Sequence, residues 1–218
     1  ITLTGTSLTA GNVTPDAYAR FDPDGAYDIP TAQPNAEISL LSSSTITASD
    51  NISLSPVAEQ KAPGYSGGVL VQFDARDAIS NIVIDGSDLT ANDTIILNSR
   101  SEINTDLSKE GWANLASLLP ADVSVAVTTS KSSITLSDDT ALTATTGDVD
   151  VTAEAVTLST VTATAQSVGI AFTGAFSAID NQAIVQMGDD TAITANDVML
   201  RTRTRTNITT VADSSAAG

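Results

Sequence analysis

The chain has 218 residues, a net charge of −17, and neither cysteine nor histidine. Without cysteine it can form no disulfide or thiolate zinc site, and without either residue Ser–His and Cys–His catalysis are excluded. Its acidic surface repels nucleic acids and anionic lipids, so we expect no nucleic-acid partner and no membrane insertion. The composition is 41% hydrophobic but only 4% aromatic. Such a mixture of small and β-branched residues favours a narrow core built from strands.

A degenerate motif recurs five times along the chain, with an aliphatic residue followed by Thr-Ala in every copy. The central residues of the five copies are Leu8, Ile46, Leu89, Leu142 and Ile193, which are 38, 43, 53 and 51 residues apart. Internal repeats of this kind are typical of solenoids. Because one coil of a β-solenoid commonly takes roughly 20–25 residues, we predict two coils in each repeat and about ten coils in all.

Each motif combines short strands of alternating polarity with turns. In the segment 134–136 the apolar residues Ile134 and Leu136 flank Thr135, which places both on one face of a strand. The acids of Ser137-Asp138-Asp139 favour a turn immediately afterwards. We therefore predict an all-β parallel solenoid over residues 1–218, with the five central residues in its interior. We expect this single segment to be a slice of a longer chain.

Three segments interrupt the pattern. Residues 15–36 contain four prolines, which do not suit a central strand, so we predict an excursion loop that packs on the solenoid by its aromatic residues. The Gly- and Pro-containing stretch 62–68 predicts a second loop. Residues 105–119 predict a flanking helix, capped by Thr105 or Asp106, amphipathic through its leucines and Trp112, and ended by Pro120.

The C-terminal third of the chain resembles the repeat arrays of giant secreted bacterial adhesins, of the filamentous-haemagglutinin-like and leukotoxin-like kinds. The resemblance rests on Ala-Ile-Asp-Asn-Gln-Ala-Ile-Val at 178–185 and on the motif from Gly188 to Val198. It extends over residues 81–213 and more loosely over 1–54. It implies a right-handed parallel β-helix that serves as an extracellular or cell-surface stalk, adhesin or matrix filament. It supplies no catalytic residues.

Two groups of acidic residues are candidate metal sites. Asp22, Asp24 and Asp28 lie in an Asp-x-Asp-Gly turn, whose carboxylates would provide about half of a calcium ligand set. The alternative is a turn with solvated acids. The pairs Asp138-Asp139 and Asp189-Asp190 occupy equivalent turns, where they either hold divalent ions between coils or simply keep the surface soluble. Calcium is the one cofactor that the sequence suggests.

Alternating arginines form the sharpest charge pattern of the chain. In a strand, Arg201, Arg203 and Arg205 would share one face, and the intervening threonines the other. One interpretation is a docking strip for an acidic surface or an anionic glycan. The other is an exposed strand whose arginines pair with acids of the coil below, as surface ion pairs commonly do.

The sequence thus favours a structural, adhesive protein that is not an enzyme. Its partners would be neighbouring repeats or identical subunits joined end to end through 1–3 and 201–210, with a glycan or a cell-surface receptor as a further partner. The alternative is a glycan-binding or glycan-cleaving β-helix module. The only compact mixed-charge cluster is Asp74-Ala75-Arg76-Asp77, which we interpret as a salt bridge in a turn.

Overall fold

A computed structural model describes residues 1–21, 33–61, 71–107, 121–168 and 172–217. These residues form fifteen β-strands and, within the described ranges, no helix. The strands are β1 (Thr2–Thr4), β2 (Ser7–Ala10), β3 (Asp16–Phe21), β4 (Asn35–Leu41), β5 (Thr45–Ala48), β6 (Ile52–Lys61), β7 (Val71–Ile84), β8 (Asp88–Ala91), β9 (Ile95–Leu107), β10 (Ala121–Leu136), β11 (Ala141–Ala144), β12 (Val149–Val168), β13 (Phe172–Met187), β14 (Ala192–Thr194) and β15 (Val198–Ala217).

The strands build three parallel sheets of five strands each. Sheet A has the order β1-β4-β7-β10-β13, sheet B the order β2-β5-β8-β11-β14, and sheet C the order β3-β6-β9-β12-β15. Each turn of the chain adds one strand to every sheet, and its strands pair with those three positions earlier in the chain. The prediction of an all-β parallel solenoid is confirmed.

The described residues make five coils, rather than the ten that the repeat spacing predicted. One repeat is one coil because the strands of sheets A and C are long: β12 alone has 20 residues. At about 3.3 Å per residue such a strand spans about 66 Å, whereas five coils at about 4.8 Å rise only about 24 Å along the axis. The molecule is therefore wider across its coils than it is tall.

Large aliphatic side chains fill the core beside sheet B, where the three sheets enclose a triangular space. The column of central residues runs through sheet B in register, and Ile46, Leu89 and Leu142 are fully buried. Ile193 packs against this core from the fifth coil, while Leu8, in the first coil, stays partly exposed because the described residues place a coil on one side of it only. The aliphatic cluster also includes residues at the ends of sheet A and the starts of sheet C: Ile38, Leu40, Ile52, Leu54, Ile82, Ile84, Ile95, Leu97, Ile134, Leu136, Val149 and Val151.

Farther from sheet B, sheets A and C face each other through small residues. The Ser99 hydroxyl donates to the Ser80 carbonyl oxygen at 2.9 Å, and the Ser132 hydroxyl donates to the Ser99 carbonyl oxygen at 2.7 Å. The hydroxyl groups of Ser101 and Ser130 are hydrogen-bonded to each other, with their oxygens 2.8 Å apart. All five serines are buried, so these bonds satisfy polar atoms that would otherwise destabilise the interior.

The turns between sheets A and B also stack in register. Ser44, Ser87 and Thr140 bury their hydroxyls at equivalent positions, and Thr140 Oγ1 donates to the Ile84 carbonyl oxygen of the preceding coil at 3.1 Å. Asp139 and Asp190 adopt a left-handed backbone in the fourth and fifth of these turns. Aspartate tolerates this conformation better than most residues do, which explains its place there.

Parts of the predicted interruptions belong to the strands. Within the predicted excursion 15–36, residues 16–21 form β3 and pair with β6, while residues 22–32 lie outside the described ranges. Thr105 and Leu107, at the start of the predicted helix, instead end β9 in register with β12. Residues 108–119 of that helix and the predicted loop 62–68 also lie outside the described ranges.

The core is tested by two leucines of the fourth coil. Leu142→Ala removes a fully buried side chain beside sheet B, and we expect it to lower the free energy of unfolding by about 2–5 kcal/mol. The matched change Leu158→Ala, at a half-buried outward position of β12, should cost less than half as much. Urea unfolding followed by circular dichroism measures both, and equal losses would contradict the assigned orientation of the coil.

Candidate functional site

The outer face of sheet C gathers most of the basic residues of this acidic protein. Alternation along the strands places six of the nine basic residues on outward positions of this sheet: Arg20, Lys61, Arg100, Arg201, Arg203 and Arg205. Glu59, Glu102 and Glu154 lie among them on the same face. Register places four more acids at outward positions of this sheet, Asp16, Asp106, Asp150 and Asp213. With seven acids against six bases this face is close to electrically balanced, although the chain as a whole is strongly negative.

Ion pairs link successive coils on this face. Arg100 Nη2 lies 2.7 Å from Glu102 Oε2 on its own strand, and Arg100 Nη1 lies 3.5 Å from Glu154 Oε2 on the next coil. Glu154 Oε1 in turn lies 3.7 Å from Arg203 Nη1 on the fifth coil. The hydrogen bond to Glu102 is the main reason that the pKa of Arg100 is raised above its ordinary value.

The arginine strip of β15 combines the two interpretations of the sequence pattern. The register with β12 places Arg201, Arg203 and Arg205 on the outward side, all exposed. Arg203 pairs with an acid of the coil below, whereas Arg201 and Arg205 make no ion pair with any residue in the described ranges. The docking interpretation of Arg201 and Arg205 stays a prediction.

A tyrosine extends this polar surface in the first coil. The Tyr18 hydroxyl donates to Glu59 Oε2 at 2.6 Å. This hydrogen bond, with small additions from burial and from the negative charge of Glu59, raises the pKa of Tyr18 above its ordinary value. The pair therefore stabilises the fold only while the phenol keeps its proton, and its contribution is lost as the pH rises through the pKa of folded Tyr18.

Asp74 and Arg76 form a buried ion pair between sheets A and C. Arg76 Nε lies 2.5 Å from Asp74 Oδ2, and both side chains are only 6% exposed. Arg76 Nη1 also donates to the Lys61 carbonyl oxygen at 3.4 Å. The sequence predicted a salt bridge here but placed it in a turn. It lies instead within β7, because the inward positions of this long strand continue through the charged cluster.

Several further polar groups, which the sequence did not indicate as buried, lie in the same two-sheet region. Thr128 pairs with Arg76 in the ladder between β10 and β7, and Gln60 pairs with Ile103 between β6 and β9. The Gln60 amide and the hydroxyls of Thr105 and Thr128 have no hydrogen-bond partner within the described part of the chain. Alternation along the strands could have predicted that these side chains point inward. It could not have predicted that a second sheet covers them.

The acidic turns stack as the sequence suggested. The Gly188 amide donates to the Leu136 carbonyl oxygen, and the Ala192 amide donates to that of Thr140, so the pairs Asp138-Asp139 and Asp189-Asp190 occupy adjacent levels. Among the described residues, no three acidic side chains come together in a group that could hold a metal ion. The calcium candidates Asp22, Asp24 and Asp28 lie outside the described ranges.

An apolar patch, which the sequence analysis missed, occupies the outer face of sheet A far from sheet B. Phe73, Val125 and Phe176 are in register across three strands, and Phe172 lies four residues before Phe176 on β13. The three phenylalanines are exposed. The Phe176 ring lies over Gly174, where an added Cβ would come within 2.9 Å of it. The sequence did carry a signal for this patch, because apolar residues of β13 fall at both odd and even positions and therefore on both faces of the strand.

No protein-family model, curated protein or solved structure matches this chain. No helix among the described residues is both long and apolar enough to cross a membrane.

The ion pairs allow a matched comparison. Arg76→Ala leaves the Asp74 carboxylate buried without its partner, and we expect a loss of about 3–5 kcal/mol in the free energy of unfolding. Arg203→Ala removes an exposed pair, for which about 0–1 kcal/mol is expected. Chemical denaturation at neutral pH measures both. The double variant Asp74→Leu/Arg76→Met should recover most of the lost free energy of unfolding. If Arg76→Ala lowered that free energy less than Arg203→Ala does, the result would contradict burial of the pair.

Proposed function

We propose that this protein is a structural and adhesive segment of an extracellular bacterial surface or filament protein. The observation that carries the proposal is the register of the coils, in which equivalent residues stack directly over one another through all three sheets. A fold assembled by adding one coil at a time extends along an axis. That property suits a spacer or stalk.

The hydrogen bonding of the coils supports a mechanical role. Every sheet has its backbone hydrogen bonds directed from one coil to the next, so the bonds of all three sheets run along the stacking axis. Bending the stack would strain bonds in at least two sheets at once. We propose that the coil is right-handed, because parallel crossover connections are right-handed in about 98% of cases.

The charge of the chain and its resemblance to giant adhesins support an extracellular setting. A net charge of −17 keeps a repetitive β-protein soluble and limits unwanted pairing of copies through its surfaces. The acidic turns that stack along sheet B are exposed to the medium, where salt screens their mutual repulsion. Calcium binding by Asp22, Asp24 and Asp28 is also a proposal.

A second candidate function, glycan binding, is favoured by the apolar patch on sheet A. Exposed aromatic rings on a polar protein are common at recognition sites. Phe73 and Phe176 present such rings on the outer face of sheet A. Asp77 and Asp180 lie in register on the same face, four residues beyond the two phenylalanines. The patch spans about 10 by 20 Å on strand spacings, which is the size of a short saccharide rather than of a stable protein interface.

Single-molecule force spectroscopy tests the structural role. With the chain held at both ends, we expect unfolding in successive coil-sized steps, because each coil is bonded mainly to its neighbours. Coils of 51 and 53 residues should each release about 17 nm at roughly 3.4 Å per residue. The Leu142→Ala variant serves as a control and should lower the force of the step that contains it. Extension without resistance would contradict the mechanical role.

Bead attachment separates the two candidate functions. Beads coated with the protein are applied to arrays of neutral and acidic polysaccharides and to glycan-free matrix surfaces, and released reducing ends are measured in parallel. If the patch binds glycans, the double variant Phe73→Ser/Phe176→Ser should lower attachment to the polysaccharides at least tenfold, while Ile96→Ser, on the outer face of sheet C, leaves it unchanged. Attachment to glycan-free surfaces alone favours the adhesive segment, and release of reducing ends would overturn the non-enzymatic assignment.

A further inference from the structure

The apolar patch lies on the side of the stack, on three neighbouring strands of sheet A. Phe73 belongs to the third coil, Val125 to the fourth and Phe176 to the fifth, all in one register row. The next row toward sheet B is apolar as well, with alanine, valine and alanine at its three positions. Outward side chains of a sheet point away from the coils above and below, so the patch is a lateral surface of the protein.

The phenylalanine rings are the exposed part of this surface. Phe73 and Phe176 are each 59% exposed, and they lie two strand spacings, about 9.6 Å, apart. The Phe176 ring lies over Gly174, where an added Cβ would come within 2.9 Å of a ring carbon. The ring therefore lies along the sheet rather than upright, and one of its faces is turned to solvent. Such a face is a surface on which apolar C–H groups pack.

Two carboxylates border the patch on the side toward sheet B. Asp77 and Asp180 are in register across Thr129, four residues and about 13 Å beyond the phenylalanine row. The Gln33 amide donates to Asp77 Oδ2 at 2.6 Å, and the Gln182 amide donates to both carboxylate oxygens of Asp180 at 3.1 Å. The border thus presents charged acceptors beside amide groups, which both donate and accept hydrogen bonds.

The charge of this face is negative. Among the described residues, alternation places three acids, Glu37, Asp77 and Asp180, at outward positions of sheet A, against the single base Lys131. Lys131 Nζ lies 4.0 Å from Asp180 Oδ2, so this base already faces an acid. Six of the nine basic residues lie on the outer face of sheet C instead. An anion that approaches the patch therefore meets net negative charge.

We propose that the apolar patch binds uncharged saccharides and discriminates against acidic ones, with Asp77 and Asp180 setting this specificity. The inference rests on the glycan-binding function proposed above, and it names the class of glycan. A pyranose ring carries C–H groups on its faces and hydroxyl groups around its edge. Its face packs on Phe73 or Phe176, while hydroxyls of adjoining rings donate to the two carboxylates. A carboxylate or sulfate group in the same place would face a like charge beside an apolar surface, which is unfavourable.

The size of the patch favours a saccharide over a protein partner. An area of about 10 by 20 Å corresponds to about 200 Å², whereas each partner in a stable protein interface buries about 800 Å². A second copy of this chain would also bring its own net charge of −17 against the acids at the border. An uncharged saccharide meets neither obstacle.

Matched pairs of polysaccharides test this specificity. Dextran, pullulan and hydroxyethyl cellulose are each compared with the carboxymethylated polymer of the same backbone, by biolayer interferometry on immobilised protein. Binding by the patch is the part that Phe73→Ser/Phe176→Ser removes, which separates it from any binding of acidic polymers to the bases of sheet C. At low salt we expect the patch to bind the uncharged member at least about tenfold more tightly. This ratio should fall toward one as salt screens the repulsion.

The acids are tested by a charge-matched pair of variants. Asp77→Asn/Asp180→Asn keeps the size of both side chains but removes their charge, so the ratio should fall to roughly threefold or less. Glu37→Gln/Asp150→Asn removes the same net charge away from the patch, on sheets A and C, and should keep the original ratio. Far-UV circular dichroism checks the fold of every variant, and the single changes Asp77→Asn and Asp180→Asn replace the double variant if it does not fold.

The outcomes separate this inference from the function on which it rests. Equal binding of both members of every pair by the patch, or an unchanged ratio in Asp77→Asn/Asp180→Asn, would overturn the specificity and leave glycan binding standing. If the patch bound no uncharged polymer at all, both would be overturned. Sedimentation velocity checks the remaining occupant. Dimers that Phe73→Ser/Phe176→Ser abolishes would show that a second copy covers the patch, and would overturn the proposal.

Discussion

In-register stacking of parallel strands is the constraint on which the rest of this structure depends. Each side chain lies over its equivalent in the coil before and under its equivalent in the coil after, so a column can hold only residues that pack against their own kind. The column of Ala10, Ala48, Ala91 and Ala144 shows this most clearly, since one larger residue would separate neighbouring coils. The repeated motif in the sequence is the direct consequence.

The interior of each coil has two regions, which are packed by two kinds of residue. Beside sheet B, three sheets enclose a space wide enough for Ile, Leu and Val, and burial of these side chains provides most of the stabilisation. Farther away only sheets A and C face each other, and Ala and Ser allow them to approach. The hydroxyls of Ser99, Ser101 and Ser132 find partners across this gap. The Gln60 amide and the hydroxyls of Thr105 and Thr128 find none among the described residues.

Function in such a fold resides on its outward positions. The inward positions are committed to stacking, whereas outward positions tolerate the charges of sheet C and the phenylalanines of sheet A. The acidic turns keep the sides of the stack soluble.

The sequence by itself determined the fold class, the parallel solenoid and the column of central residues from Leu8 to Ile193, because alternation and repeat spacing are local properties of the chain. It did not determine the length of a coil, since a long strand and two short strands share the same period of two residues. The burial of Asp74 and Arg76 and the exposure of Phe73 and Phe176 were likewise decided by the tertiary structure. Alternation places two residues on opposite faces of a strand, but only the sheet that packs against one face makes it the interior.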